Sequence, residues 1–270
     1  MENKKIFFIG GGMMAEGIIK ELINDKIIQA NEIGVFDIIE SRMEFLKKTY
    51  EINTYKSISQ GVESSDIVFL AVGPQDISVV LKEINEIEKK DFVIVSIAAG
   101  INIKNIVVLL VGKRKIVRIM PNPSVEAKCG VSAICWNENV TEKEDEFIEK
   151  MMKSIGDTVI LKESLFDAFT GYCCSGGAYV YEFIESMIDA GVLLGFSRNQ
   201  AIQFTLENVM GAAKTIKNTN YHPVYLKERM TSPAGTTIAG LHVLNEKGFK
   251  GIVQNAIQKA VERAKEIKLG

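Results

Sequence analysis

Small and hydroxyl-bearing residues near the end of the chain form its most specific chemical feature, residues 232–242. A Ser-Pro turn leads to Gly235, and two adjacent threonines, Thr236 and Thr237, open a predicted helix. The first N–H groups of a helix have no partner within the helix, and they stabilise a bound anion. The segment therefore predicts a site for a carboxylate or a phosphate, with Gly235, Thr236 and Thr237 as candidate binding residues.

A second chemical feature is a glycine loop near the start of the chain. Residues 10–15 match the pattern G-x-G-x-x-A between a predicted strand and a predicted helix. In this pattern the first glycine makes a tight turn, the second lets the backbone approach a pyrophosphate, and the alanine lets the helix pack on the sheet. Glycine clusters also form ordinary turns, but the position after the first strand favours a dinucleotide site. Its candidate residues are Gly10, Gly11, Gly12, Met13 and Met14.

Asp37 follows the second predicted strand, where an acidic side chain can accept hydrogen bonds from both ribose hydroxyls of a dinucleotide. A carboxylate there repels the 2′-phosphate of NADPH, so this position favours NADH mildly over NADPH. Two observations keep the choice open. Arg42 lies nearby in the sequence, and Asp37 could instead cap the turn that follows it.

Loops of small residues follow three later strands, and such loops bind ligands at the carboxyl edge of an open α/β sheet. They are residues 71–75, 96–100 and 120–123. Any one of them could be only a turn, but together they predict a shared cleft for cofactor and substrate. Asn122 is the strongest polar candidate, because an amide can orient a carboxamide or a substrate group. The other candidates for cofactor contact are Ala71, Val72, Pro74 and Ala98.

A turn that opens a long helix after residue 174 offers a second anion site. Ser175 is a candidate N-cap, and the N–H groups that follow it, at Gly176 and Gly177, could bind an acid. Simple helix capping explains the same residues equally well. The two cysteines before Ser175 have no adjacent basic residue, so we interpret them as small apolar residues. No combination of serine or cysteine with histidine predicts nucleophilic catalysis.

Composition excludes several classes of function. The chain has 270 residues, 47% of them apolar and 24% charged, with a net charge of −2. This balance predicts no surface for nucleic acid or anionic membrane, and no apolar run approaches the length of a membrane span. Two histidines, and four cysteines without ligand spacing, predict no metal site. The cysteine usage favours a reducing, cytoplasmic location.

Two kinds of pattern divide the chain. Up to residue 162, short apolar runs alternate with helical segments, which predicts a doubly wound α/β sheet with strands near 6–9, 33–36, 67–72, 92–97, 116–120, 131–135 and 158–161. Helices are predicted near 13–23, 41–48, 76–87 and 142–153, and then at 165–171, 178–194, 198–217 and 248–268. We therefore expect two domains, 1–162 and 163–270. The helix at 178–194 is apolar nearly all round, which predicts burial in a core or between subunits.

These residues match one known family in order and spacing. The chain resembles pyrroline-5-carboxylate reductase over essentially its whole length, through the glycine loop and residues 96–100, 118–122, 167–170, 189–192 and 232–241. The resemblance implies an N-terminal Rossmann domain and an all-helical C-terminal dimerisation domain. The implied homodimer can belong to a larger ring such as a decamer. The implied reaction is reduction of the cyclic imine 1-pyrroline-5-carboxylate to L-proline with NADPH or NADH.

The same resemblance assigns roles to the candidate residues. Thr237 would donate to the ring nitrogen of the substrate, while backbone groups at Gly235 and Thr236 and the turn at 175–177 would hold its carboxylate. Hydride addition to a C=N carbon needs alignment and a proton at nitrogen, but no covalent nucleophile. The chain departs from the family pattern at Ala234, usually glycine, and at Gly177, usually proline. Two alternatives stay open: a reductase of another cyclic imino acid, such as a six-membered ring, and a nucleotide-binding protein without catalysis.

Overall fold

The computed structural model describes residues 4–89, 91–122 and 129–267. Pro123, in the predicted loop at 120–123, and Lys268, at the end of the last predicted helix, lie outside these ranges. The chain divides into two compact units. The first runs to Cys174 and resumes at Ala260, and the second is Ser175–Lys259.

The first unit is built on a sheet whose described strands lie in the order β3-β2-β1-β4-β5-β6-β7-β8. Neighbouring strands run parallel, except for the antiparallel pair β6 and β7. The connection reverses direction at β1, which pairs with both β2 and β4, and open α/β sheets bind ligands at the carboxyl ends of such strands. The strands are β1 (Ile6–Ile9), β2 (Ile33–Phe36), β3 (Asn53–Thr54), β4 (Ile67–Leu70), β5 (Val93–Ser96), β6 (Lys115–Met120), β7 (Gly130–Trp136) and β8 (Gly156–Ile160).

Apolar side chains cover both faces of the central strands. In β1, Ile6 and Phe8 pack into one core layer, whereas Phe7 and Ile9 pack into the layer on the opposite face. Phe8 stacks on Phe69 of β4 with 4.5 Å between the ring centroids. Burial on both faces explains why these strands appear in the sequence as continuous apolar runs and not as alternating ones.

The described α-helices of the first unit lie between or after the strands. They are α1 (Met13–Asn24), α2 (Glu40–Tyr50), α3 (Ile58–Glu63), α4 (Ile77–Asn85), α5 (Ile103–Leu109), α6 (Glu142–Met152) and α7 (Phe166–Phe169). The strands and long helices predicted in this part are confirmed to within a few residues. β3, α3 and α5 were not predicted, because each is too short to establish a period.

The second unit consists of helices. They are α8 (Gly176–Leu193), α9 (Arg198–Thr219), α10 (Pro223–Arg229), α11 (Thr236–Glu246) and the beginning of α12 (Phe249–Glu266). α8 and α9 form a helical hairpin, in which a Cβ on Gly191 would lie 2.9 Å from the Cβ of Ala201. Gly195 makes the turn with φ +96°. The predicted fold class, a doubly wound sheet followed by a helical domain, is confirmed.

Large apolar side chains of the second unit stay exposed in the single chain. In α8, Tyr181 is 70% exposed and Leu193 is 88% exposed. The expectation that this helix is buried in the core of its own chain is therefore wrong. The alternative, burial between subunits, accounts for apolar faces that the described part of the chain leaves uncovered. Within the described ranges, no helix combines the length and apolar character needed to cross a membrane.

Candidate functional site

The glycine loop connects β1 to α1 at the carboxyl edge of the sheet. Gly10 has φ +98°, and a Cβ at this residue would lie 2.5 Å from the backbone oxygen of Ala71. Gly12 has φ −63°, and a Cβ there would meet no described atom within 4 Å. Gly10 is therefore required by the fold, whereas the open space at Gly12 fits a pyrophosphate at the N-terminus of α1.

Asp37 is hydrogen-bonded to the glycine loop. One carboxylate oxygen accepts from the Gly11 N–H at 2.7 Å, and the other accepts from the Ile39 N–H at 2.9 Å. Because an ionised carboxylate offers about four acceptor positions, two remain for ribose hydroxyls. The structure thus places Asp37 directly after β2 and against the loop, which is the position that ribose binding requires.

Arg42, Glu16 and Tyr50 form a network beside the same loop, which motif analysis missed. Arg42 donates from Nε to the Gly11 carbonyl at 2.5 Å and from Nη2 to the Glu16 carboxylate. The Tyr50 hydroxyl donates to the other Glu16 oxygen at 2.8 Å. One sequence signal could have found the network. Glu16 lies in the first turn of the phosphate-binding helix, where a negative charge calls for a nearby cation.

The loop after β4 packs directly on the glycine loop. The Ala71 N–H donates to the Ile9 carbonyl at 2.9 Å. Val72 Cγ1 would lie 3.1 Å from a Cβ on Gly10. Pro74 begins a short 3-10 turn, Pro74–Asp76, where its missing N–H costs nothing. These predicted cofactor residues therefore lie at the same edge of the sheet as the glycine loop.

The remaining predicted cofactor residues differ in what they can offer a ligand. The Met13 side chain is 89% exposed at the start of α1, whereas Met14 packs against the core. Ala98 is buried, and its N–H donates to Ser96 Oγ at 3.4 Å. Met13 can contact a ligand with its side chain, while Met14 and Ala98 serve mainly to place the backbone.

Asn122, at the end of β6, donates its amide to the Cys173 carbonyl at 2.7 Å. This bond fixes the amide orientation and joins the end of β6 to the residues before α8. Cys174 lies alongside, and its Sγ donates to the Pro121 carbonyl at 3.5 Å. Burial, reinforced by the neighbouring Cys173, raises the pKa of the Cys174 thiol to about 12. Cys174 is therefore a protonated thiol at neutral pH and no nucleophile, because attack requires the thiolate.

The turn before α8 differs from an ordinary helix start. Residues Thr170–Cys174 form a π-helical turn that continues directly into α8. Ser175 therefore has helical backbone angles, φ −80° and ψ −16°, and makes no side-chain capping bond. The predicted capping role fails because a cap needs an extended backbone. A Cβ on Gly176 or Gly177 would meet no described atom within 4 Å, so this predicted substrate segment is open.

Residues 232–237 form a tight turn that starts α11. The Gly235 N–H donates to the Ser232 carbonyl at 3.0 Å, and Gly235 is the N-cap. Thr236 and Thr237 are therefore the first two residues of the helix, as predicted. Ala234 has φ +57°, in the left-handed region where a Cβ is sterically disfavoured. The family's usual glycine at this position has a direct structural reason.

Replacing Ala234 with glycine should stabilise the protein by about 0.5–1 kcal/mol. A left-handed L-residue costs about 1–2 kcal/mol, and the extra freedom of glycine in the unfolded chain returns about 0.4–1 kcal/mol of this gain. Urea denaturation measures the difference. Ala212→Gly, within the exposed helical stretch of α9, is the control and should destabilise by about 0.5–1 kcal/mol. Equal losses in both variants would contradict the strain at Ala234.

A cavity of about 490 Å³ in the first unit lies apart from these residues. Its lining includes Arg118, which is 2% exposed and donates to Glu163 Oε1 at 3.1 Å. The guanidinium also lies over the Phe166 ring, with Cζ 4.6 Å from the centroid. The same Glu163 oxygen accepts from the Ile103 N–H at 2.7 Å. No predicted cofactor or substrate residue lines the cavity, and we interpret the Arg118–Glu163 pair as structural. No metal-binding cluster occurs among the described histidine, cysteine and acidic residues.

Comparison with known proteins supports both parts of the chain. A family model described as pyrroline-5-carboxylate reductase dimerisation matches residues 163–267, and one described as NADP oxidoreductase, coenzyme F420-dependent, matches residues 5–100. Pyrroline-5-carboxylate reductase from Methanosarcina acetivorans is 38% identical over 99% of this chain and 99% of its own. The Escherichia coli reductase is 35% identical over 98% of both chains.

A solved structure agrees with these relatives. Plasmodium falciparum pyrroline carboxylate reductase with NADP bound has a TM-score of 0.91 and 30% identity, covering 99% of each chain. Identity at this level along the whole length, together with the shared fold, confirms the resemblance expected from the motifs. The chain belongs to the pyrroline-5-carboxylate reductase family.

Proposed function

We propose that this protein reduces 1-pyrroline-5-carboxylate to L-proline with NADH or NADPH. The observation that carries the proposal is the match to a reductase of this name at 38% identity along 99% of both chains. The geometry agrees with it: the glycine loop leaves space for a pyrophosphate at Gly12, and Asp37 lies where a ribose binds.

The chain's own residues account for the other requirements of the reaction. When bound, NAD(P)H supplies the hydride that adds to the imine carbon. Thr237 is the proposed donor to the ring nitrogen, since it carries a hydroxyl in the first turn of α11. N–H groups at Gly235 and Thr236, with Ser175, Gly176 and Gly177, are the proposed carboxylate site. No covalent nucleophile is needed, in line with the protonated Cys174 thiol.

Of the two cofactors, NADH is the one we favour. Asp37 retains acceptor positions for the ribose hydroxyls, and its charge opposes a 2′-phosphate. The remaining proposed contacts to the cofactor are those of the glycine loop with Met13 and Met14, the 71–74 segment with Ala71, Val72 and Pro74, and Ala98 and Asn122.

The protein is an oligomer that acts on a small molecule. We place the subunit contact in the C-terminal helices and propose a homodimer, within a larger ring such as a decamer. The support is the exposed apolar surface of α8, where Tyr181 and Leu193 are mostly uncovered, and the dimerisation model that matches residues 163–267. We keep the division at 162/163 as the proposed domain boundary. The free state of all four cysteines supports a reducing, cytoplasmic location.

A direct assay tests the activity. Purified protein with 1-pyrroline-5-carboxylate should oxidise NADH or NADPH, followed by the absorbance of the reduced nicotinamide, and should form proline. The six-membered cyclic imino acid serves as the competing substrate, because Gly177 replaces a stiffer proline in the predicted substrate turn. A higher kcat/KM for the six-membered ring would replace the proposed substrate, and no turnover with either ring would overturn the catalytic role.

A further inference from the structure

Arg42 is held in place by both ends of its guanidinium group. Its Nε donates to the Gly11 carbonyl at 2.5 Å, its Nη2 pairs with Glu16, and its Cζ lies 5.1 Å from the Phe45 ring centroid. The glycine loop is thereby gripped on two sides, because Asp37 accepts from the N–H of the same Gly11.

This position is where the two dinucleotides differ. In the Rossmann arrangement, an acidic residue after the second strand binds the ribose hydroxyls of NAD, whereas a nearby arginine accommodates the 2′-phosphate of NADP. Asp37 and Arg42 both contact Gly11, so both groups lie at the ribose end of the loop. An unengaged Arg42 would be the natural partner of a 2′-phosphate.

We propose that Glu16 selects the cofactor by holding Arg42 on the glycine loop, which leaves Asp37 to bind the ribose and disfavours NADPH. Glu16 acts as a positioning residue, since its effect passes through Arg42. The inference rests on the proposed function only for the class of cofactor. It identifies a specificity determinant outside the G-x-G-x-x-A pattern.

The Glu16–Arg42 pair has the properties that this role needs. The two side chains are 24% and 25% exposed, so solvent and salt screen their attraction less than on an open surface. Burial opposes ionisation of Glu16, but the hydrogen bonds from Arg42 and Tyr50 outweigh it and hold the pKa of the carboxyl below its usual value. Burial and the bond to Glu16 raise the pKa of Tyr50 to about 12. Glu16 is therefore charged, and Tyr50 stays a donor to it, throughout the neutral range.

Binding of two nucleotide fragments to the protein without cofactor tests the proposal. Adenosine 2′,5′-bisphosphate carries the 2′-phosphate of NADPH, and AMP lacks it. Isothermal titration of Glu16→Gln should show the bisphosphate binding about tenfold more tightly than to the wild type, because a released guanidinium gains a charged hydrogen bond. The affinity for AMP should change less than about twofold, and KM for NADPH should fall relative to KM for NADH.

Two controls separate the specific pairing from a general charge effect. Glu40→Gln removes the same charge from an exposed residue at the start of α2 and should leave the affinity ratio unchanged. Arg42→Met combined with Glu16→Gln should lose the gain, because the recipient of the phosphate is gone. If Glu16→Gln fails to fold, Glu16→Asp shortens the reach to Arg42 while it keeps the charge, and it should show a smaller gain.

An unchanged ratio in Glu16→Gln, or a gain that persists without Arg42, would overturn the inference. Turnover of 1-pyrroline-5-carboxylate by the wild type is measured separately. A protein that binds both fragments as expected but does not turn over would therefore contradict the proposed activity and not the role of Glu16.

Discussion

Replacing Thr237 with valine should lower kcat/KM for 1-pyrroline-5-carboxylate about a hundredfold, in the usual range for loss of a positioned proton donor. Valine keeps the branched shape of threonine and removes the hydroxyl that we propose donates to the ring nitrogen. Because that nitrogen gains charge or a proton as the hydride arrives, the loss should fall mainly on kcat, while KM for the cofactor stays unchanged.

Two further variants make this result specific. Thr215→Val removes a hydroxyl that donates to the Gly211 carbonyl within its own helix at 2.8 Å, and its kcat/KM should stay near the wild-type value. Thr237→Ser restores a donor and should recover most of the rate. Circular dichroism and the thermal midpoint should be the same for all three variants. Full activity in Thr237→Val would remove Thr237 from the mechanism.

The glycine loop provides the second large effect. Gly12→Ala should fold with unchanged stability, since a Cβ there meets nothing within 4 Å and φ is −63°. It should nevertheless weaken NADH binding about 10–100-fold, because the added methyl occupies the space of the pyrophosphate and costs a charged hydrogen bond. Fluorescence titration with NADH measures this affinity in the absence of substrate.

Gly10→Ala should behave in the opposite way. Its Cβ would lie 2.5 Å from the Ala71 oxygen at φ +98°, so strain and overpacking should destabilise the fold by about 2–5 kcal/mol. Urea denaturation of the two variants separates a ligand-binding glycine from a structural one. Normal NADH affinity in Gly12→Ala would place the pyrophosphate elsewhere.

The sequence predicted the elements with strong periodic signals. The buried strands of the sheet are continuous apolar runs because both of their faces are covered, and α1, α6, α8 and α9 are long enough to show a helical period. The two-residue β3 and the short α3 and α10 lack such a period. The π-helical turn at Thr170–Cys174 was also missed, since it replaces the capped start that Ser175 suggests.

The candidate site was predictable where one short segment carries the chemistry. The glycine loop and the two threonines of α11 are such segments. The Glu16–Arg42–Tyr50 network joins residues 26 and 34 positions apart, and only the packing of α1 beside α2 brings them together. The left-handed Ala234 is hidden for a different reason: its residue type gives no sign of the backbone angle that the turn imposes.

The uncovered apolar faces of α8 and α9 have a consequence for how the protein reaches its native state. The sheet unit contains its own core, so it can acquire its structure as a single chain. The helical unit buries few residues alone, with Ala201 and Thr205 its buried positions in α9. Its final structure then depends on meeting a second chain, which makes the last step of folding bimolecular and its stability dependent on protein concentration.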